Sequence, residues 1–452
     1  MTRTIIEYTL AAVVVVILGA LVGWYFFLEK KSDGAVPPSA AREYEVPIAE
    51  QSDHPASAPS PSFLSKLRES IFGSGDGVSE TPSAAFGEST VTTPAGPAAI
   101  VEQVVKRPPQ LSQVHAKPIA GMSFIATPEG ERLRFVERAT GYVYDANLET
   151  GAVARISNTL SPKVYEVIIS KSGRVIERTL DADGRISTTA HLFAASITAS
   201  ATTSAATSTR LLPKDIERIA VDPKTENLFY LIRSASGVEG HQSEWGGTKA
   251  TRVFSSGVLH WIPLWLSDGR VILTQNAASG VPGFAYEIVR GETRPLLRNI
   301  AGLTLLPRAS GSVIFGEATS GSFNLFAQAG PTSTAMRLSI KTAADKCAWT
   351  PDLLTQSTST GKIVTKVTRT YTALCGVPEE SPAPGFLENW YRGVTHTSDT
   401  LWWVDAGSGN ATLVYNPNVS VDVDRPQFNG TGGYLAFINK TDLSLWIFRV
   451  EK

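Results

Sequence analysis

The strongest constraint on this chain is a strand–turn–strand text that recurs seven times between residue 111 and residue 452. Short β-rich runs alternate with turn signals, and no long segment of helical period interrupts them. The first turn of a unit reads Ser170-Lys-Ser-Gly173, Asp222-Pro-Lys-Thr-Glu-Asn227, Ser267-Asp-Gly269, Arg308-Ala-Ser-Gly311 or Asn429-Gly-Thr-Gly432. Gly and Asn supply the positive φ that tight hairpin turns need. A third strand then carries aromatics, as in Tyr142-Val-Tyr144, Phe284-Ala-Tyr286, Phe323-Asn-Leu-Phe326, Leu401-Trp-Trp403 and Leu445-Trp-Ile-Phe448. A second turn and a last strand complete the unit.

Units start near residues 120, 163, 215, 259, 302, 346 and 420. A spacing of roughly 40–50 residues is that of a four-stranded propeller blade. The expectation is therefore all-β, a seven-bladed β-propeller over residues 111–452. A sandwich is the alternative, but it does not predict a repeated four-strand text. The seventh unit has only three strands, so Leu111–Ala116 or its neighbours are expected to supply the fourth and cover the open edge.

The N-terminal quarter is different. Residues 8–28 form 21 uncharged positions, enough for a helix to span the roughly 30 Å hydrocarbon core. Trp24, Tyr25, Phe26 and Phe27 sit at its end as an interfacial belt would, before Glu29, Lys30 and Lys31. A signal peptide has a shorter apolar run and small residues at its end, so residues 1–31 read as a membrane anchor. Residues 32–110 read as a disordered linker, since 44 of these 79 residues are Pro, Gly, Ser, Thr or Ala. Within it, Phe63, Leu64, Leu67, Ile71 and Phe72 share one helical face, a docking segment or a marginal helix without a role.

Composition narrows the chemistry. Lys+Arg (41) and Asp+Glu (42) nearly cancel, which argues against nucleic acid as a partner. The six histidines show no ligand spacing, so no metal site is expected. There is no Gly-x-Ser-x-Gly elbow. Gly73–Gly77 lies in the linker with no strand before it, so no phosphate-binding loop and no cofactor are expected. Asp345, Asp352, Asp399, Asp405, Asp422 and Asp424 could serve acid–base work, as in propeller glycosidases, but most read better as turn caps.

Asp345-Lys-Cys-Ala-Trp349, Leu374-Cys-Gly-Val-Pro378, Trp390-Tyr-Arg-Gly393 and Ser398-Asp-Thr-Leu-Trp402, with the ordered turns above, resemble the membrane-anchored WD40-like and TolB-like β-propeller proteins of bacteria. The resemblance covers residues 1–28 and about 111–452, although the Trp-Asp dipeptide of WD40 repeats is absent. It implies adjacent antiparallel strands for Cys347 and Cys375, where a disulfide is reachable and would clamp the insert Leu353–Val367; two buried free thiols are the alternative. A disulfide implies an oxidising compartment. That outweighs Lys30 and Lys31, which mildly favour the opposite orientation, and gives a single-pass protein of the cell membrane with an extracytoplasmic head.

Two insertions break the repeat. Ala194–Thr209 reads as a flexible surface loop. Glu379–Thr397 carries Phe386, Trp390, Tyr391 and Arg392, residue types that either anchor recognition or pack a loop onto its blade. Trp245 is a weaker candidate. The functional expectation is a noncatalytic binding or scaffolding module with a protein partner of the envelope or a glycan. The alternative is a carbohydrate-binding or glycan-cleaving propeller.

Overall fold

The computed structural model describes residues 109–193, 208–319, 322–330, 332–359, 362–368 and 370–451. The expected membrane span at 8–28, the linker up to residue 108, the docking segment and most of the Ala194–Thr209 insertion lie outside the described residues. No helix among the described residues is long and apolar enough to cross a membrane.

Seven four-stranded antiparallel sheets follow one another along the chain. Their inner strands begin at Ile119, Val164, Ile216, Trp261, Thr304, Cys347 and Val423, each within a few residues of the expected unit start. In the seventh sheet the outermost strand is Leu111–His115, pairing antiparallel with Ser444–Arg449. The chain end is thus closed by a strand from before the first blade, as the missing fourth strand requires.

The apolar core shows that the sheets form a ring. Apart from one cluster under a loop insertion, each buried cluster among the described residues lies between two consecutive blades rather than within one. Val136 and Val143 of blade 1 meet Val164 and Val175 of blade 2. The same holds around the circle to blade 7, whose Ala436 and Ile438 meet Phe135 and Leu133 of blade 1. Strand side chains alternate between two faces, so a blade sandwiched by two neighbours must be apolar on both. This is why the strands carry apolar runs such as Leu228-Phe-Tyr-Leu-Ile232.

One face is held by the turns between inner and second strands. Gly269, at φ 91°, closes a turn in which Leu266 N–H donates to the Arg270 carbonyl at 2.8 Å. The same turn recurs at Gly173 and Gly311, and a version one residue longer at Gly432. Side chains then link turn to turn. Glu131 of blade 1 accepts from Gly430 N–H of blade 7 at 2.8 Å. Ser172 N–H of blade 2 donates to Glu226 of blade 3 at 2.9 Å. Arg308 of blade 5 donates to the Thr350 carbonyl of blade 6 at 2.7 Å.

Cys347 and Cys375 face each other in register on the inner and second strands of blade 6 and are bonded as a disulfide. The insert between them is a separate hairpin, Leu353–Ser359 with Lys362–Thr368. The Ala194–Thr209 insertion ends earlier than expected. Ser208 and Thr209 already belong to the outer strand of blade 2, where the ladder with Ile186–Leu192 satisfies their backbone.

The closing strand carries a titratable group. His115 stacks at 5.0 Å on Phe135 and 5.5 Å on Tyr144, with Nε2 3.5 Å from Glu137. Burial holds its imidazole below the ordinary value, against the pull of Glu137. The unfolded chain therefore binds the proton more readily. This part of the stability is complete above about pH 6.5 and is lost as pH falls through the lowered value. Melting from about pH 7.5 down to about pH 5 should show a larger fall in midpoint for the wild type than for His115→Phe. Equal falls would contradict it.

Candidate functional site

The face opposite the turns carries the starts of the inner strands and the connections between second and third strands. In blade 6 that connection is the Glu379–Thr397 insertion. Pro382 and Pro384 stiffen its approach, and Gly385, at φ 75°, turns the chain into a short helix α1 (Phe386–Tyr391). Six residues do not hold a helix in water, so packing must hold it. Phe386, Leu387 and Trp390 are buried against Ala318 and Phe323 of blade 5 and Ala343 of the blade 5–6 connection. Phe386 meets Phe323 edge-on at 5.9 Å. The Glu388 carboxylate accepts from Ser279 N–H and, at 3.0 Å, from its hydroxyl, reaching the blade 4 connection.

The four residues singled out in the sequence therefore divide. Phe386 and Trp390 are interior anchors, with 5% and 1% exposure, and present nothing to a partner. Tyr391 is half-buried and donates to Asp345 at 2.9 Å. Arg392 is exposed, but its guanidinium returns to the helix, donating to Asn389 at 2.6 Å. The insertion is a fastened cap over blades 4 to 7, and its aromatics do not form an open hot spot.

Beneath the cap lies a charged cluster that the sequence did not reveal. A 3-10 turn, Ala344–Lys346, leads into the inner strand of blade 6. Lys346 is fully buried and donates to Asp399 Oδ2 at 2.6 Å, Asp422 Oδ1 at 2.6 Å and Thr397 at 2.8 Å. Trp390 Nε1 donates to Asp422 at 2.9 Å, and its ring lies 4.9 Å from Lys346 Nζ and 4.4 Å from Lys440 Nζ. Burial pushes the Asp399 carboxyl up, and Asp422 adds to that against the opposing pull of Lys346. Burial works against the charge on Lys346, yet Asp399 and Asp422 together hold its ammonium above the ordinary value.

The carboxylates considered for acid–base work are thus split. Asp345, Asp399, Asp422 and Asp424 gather at the capped face, where the last three are at most 1% exposed. Asp352 and Asp405 lie at the opposite face. Asp352 takes Arg308 at 2.6 Å, and Asp405 caps its own turn through Gly407 N–H at 2.8 Å. Burial would raise Asp405, but those turn donors bring it below its ordinary value.

The inner and second strands of blade 2 bring further charge together. Arg178 is fully buried, paired with Glu166, and donates to the Glu217 carbonyl at 3.0 Å. Burial opposes ionisation of Glu166, yet Arg178, Arg218 and Arg425 hold it below the ordinary carboxylate value. Side chains of blades 2, 3 and 7 thus balance one another around the centre. Beside them the Tyr165 phenol is pushed up to about 12, chiefly by burial.

Among the described residues, cavities open to solvent include two between neighbouring blades. A small one of about 130 Å³ between blades 1 and 2 is lined by Ser157, Ser161, Glu177, Thr189, His191 and Thr209. There Thr209 Oγ1 and Glu177 Oε2 each lie 3.2 Å from a ring nitrogen of His191, in the order hydroxyl, imidazole, carboxylate. A larger groove of about 400 Å³ runs between blades 5 and 6. Half-buried Pro382 and Trp402 line it over a floor of buried Ile340, Val377 and Pro378, with exposed Lys341 and Glu379 at its edge. Trp402 is half-buried, its Nε1 donating to Thr400 at 2.8 Å. Trp402 stood out in the sequence only as a third-strand aromatic, because its groove is completed by the neighbouring unit. Trp245, the weaker candidate, packs between blades 2 and 3, with the Arg174 guanidinium 5.9 Å from its ring.

No protein-family model matches the chain, and no curated protein matches it in sequence. Solved structures similar in fold include TolB, WD40-repeat and lyase propellers. An oligogalacturonate lyase in complex with manganese is 10% identical, covers 76% of this chain and 93% of its own, and gives a TM-score of 0.46. TolB from Acinetobacter baumannii is 9% identical over 73% of this chain and 63% of its own, with a TM-score of 0.36. The WD40 repeats of RRP9 are 12% identical over 75% and 97%, with a TM-score of 0.43. The seven-bladed β-propeller stands on the strand pairing and the ring of interblade cores described above.

Proposed function

We propose that the chain is a noncatalytic binding module, a propeller head held outside the cytoplasm by its N-terminal anchor, which engages a protein partner through the groove between blades 5 and 6. The groove carries this reading. It sets the accessible parts of Trp402 and Pro382 beside Lys341 and Glu379 at its rim, an aromatic and a proline with charged neighbours as in a recognition surface. Its wall is rigid because the same insertion is pinned by Trp390 a few residues further on, which lowers the ordering cost of binding. The anchor is supported by the apolar run at 8–28, and placement outside the cytoplasm by the Cys347–Cys375 disulfide. A glycan partner is a second reading, supported by Trp402 as a stacking platform between Ser339 and Ser381.

A photo-crosslinking side chain in place of Lys341, in the full-length protein in its own cells, tests this. A discrete protein adduct is expected, reduced on the order of tenfold by Trp402→Ala, as for loss of a central anchor. An adduct of unchanged intensity in Trp402→Ala would remove the groove as the site. Recovery of envelope glycan without protein would move the reading to sugar binding.

A further inference from the structure

We propose that Lys346 and Asp399 form an intramolecular isopeptide bond, with Asp422 as the proton acceptor that permits it. The site is dry, with all three side chains 0–1% exposed. One lysine faces two carboxylates at hydrogen-bond distance, Asp399 and Asp422, each 2.6 Å from Nζ. The two carboxylates differ. Asp422 is fully engaged, accepting from Lys346, Thr397 and Trp390. Asp399 uses only Oδ2, which takes Lys346 and, at 2.8 Å, the Val423 N–H. Its Oδ1 is buried with no hydrogen-bond partner.

A buried unpaired carboxylate oxygen is costly and calls for an explanation. Condensation supplies one, because Oδ1 is the atom it removes. The backbone N–H of Val423 polarises Oδ2 as the carbonyl oxygen, the role of an oxyanion donor. Asp422 takes one proton from the Lys346 ammonium. The freed amine attacks Cγ of the protonated Asp399 carboxyl, and the Nζ–Cγ bond forms. The Cγ–Oδ1 bond breaks, and Oδ1 leaves as water with its own proton and one from Nζ. Nζ keeps one hydrogen as the amide, and Asp422 keeps the proton it took, so charge and atoms balance. The Trp390 ring covers Lys346 during this step, and partly exposed His396 lies 3.3 Å from Asp422.

The bond would join the turn that leads into the inner strand of blade 6 to the start of its third strand, Asp399–Asp405. Together with the neighbouring disulfide it would tie three strands of the blade covalently, enclosing both insertions.

The test is the intact mass of the full-length protein, purified in detergent and reduced. The expected mass lies about 18 Da, one water, below that of the sequence. After trypsin, a joined peptide pair linking Lys346 to Asp399 should appear, with no cleavage after Lys346. An unshifted mass with cleavage after Lys346 overturns the proposal, and so does a mass loss that maps to any other pair. Lys346→Arg and Asp422→Asn should each restore the full mass, the second in a head whose circular dichroism is unchanged. A bond that still forms in Asp422→Asn removes Asp422 from its role.

Discussion

Trp390→Ala should destabilise the head by about 3–5 kcal/mol, the range for removing a fully buried large aromatic. Trp390 is 1% exposed and heads the largest fully buried side chains. It wedges beside Phe386, 6.2 Å away, and seals the Lys346–Asp422 cluster from water. Its loss opens a cavity under the cap, removes a donor from Asp422 and admits solvent to a buried ion pair. A fall in thermal midpoint of about 4–7 °C is the expected readout for a head of this size. Trp390→Phe keeps most of the volume but not the N–H, and should cost only about 1–3 kcal/mol. A loss below about 1 kcal/mol for Trp390→Ala would mean that the insertion is not fastened as described.

Arg134→Met should have a comparable effect by a different route. Arg134 is 2% exposed and holds Asp145 through two parallel bonds, each 2.7 Å. A third nitrogen reaches the Gly173 carbonyl in the turn of blade 2. Methionine fills the space but leaves the buried Asp145 carboxylate without its partner, at a cost of about 3–5 kcal/mol. Replacing both ends, Arg134→Met with Asp145→Leu, should recover much of the loss, since two well-packed apolar groups can substitute for a buried pair. Urea unfolding of the two single variants and the double variant checks this. Additive losses would show that the two residues do not depend on each other.

The repeat was legible because each blade needs the same turn, and only a few residue types make it. Ser267-Asp-Gly269 and Asn429-Gly-Thr-Gly432 announce positive φ by their residue types alone. The closing strand was legible by subtraction, from a last unit one strand short. The Cys347–Cys375 bridge was expected from the resemblance, with two free thiols as the alternative, and the register of blade 6 sets the two residues opposite each other. The capped cluster was hidden for the opposite reason. Lys346 finds Asp399 and Asp422 at separations of 53 and 76 residues, and nothing local in Asp345-Lys-Cys marks them as partners. Phe386 and Trp390 could be flagged as anchors but not assigned a direction, since a loop aromatic facing a partner and one facing its own blade have the same sequence. The Trp402 groove depends on Ile340 and Lys341 of the preceding unit, which no pattern within one blade contains.

The binding reading stands on the head being outside the cytoplasm, and the thiols report this directly. Cells expressing the full-length protein are quenched in acid, denatured, and alkylated with a mass-tagged maleimide, with and without prior reduction. Cys347 and Cys375 are the only cysteines, so the labels count them without ambiguity. An extracytoplasmic head should take no label before reduction and two after it. Two labels without reduction would place the head in a reducing compartment and contradict the account.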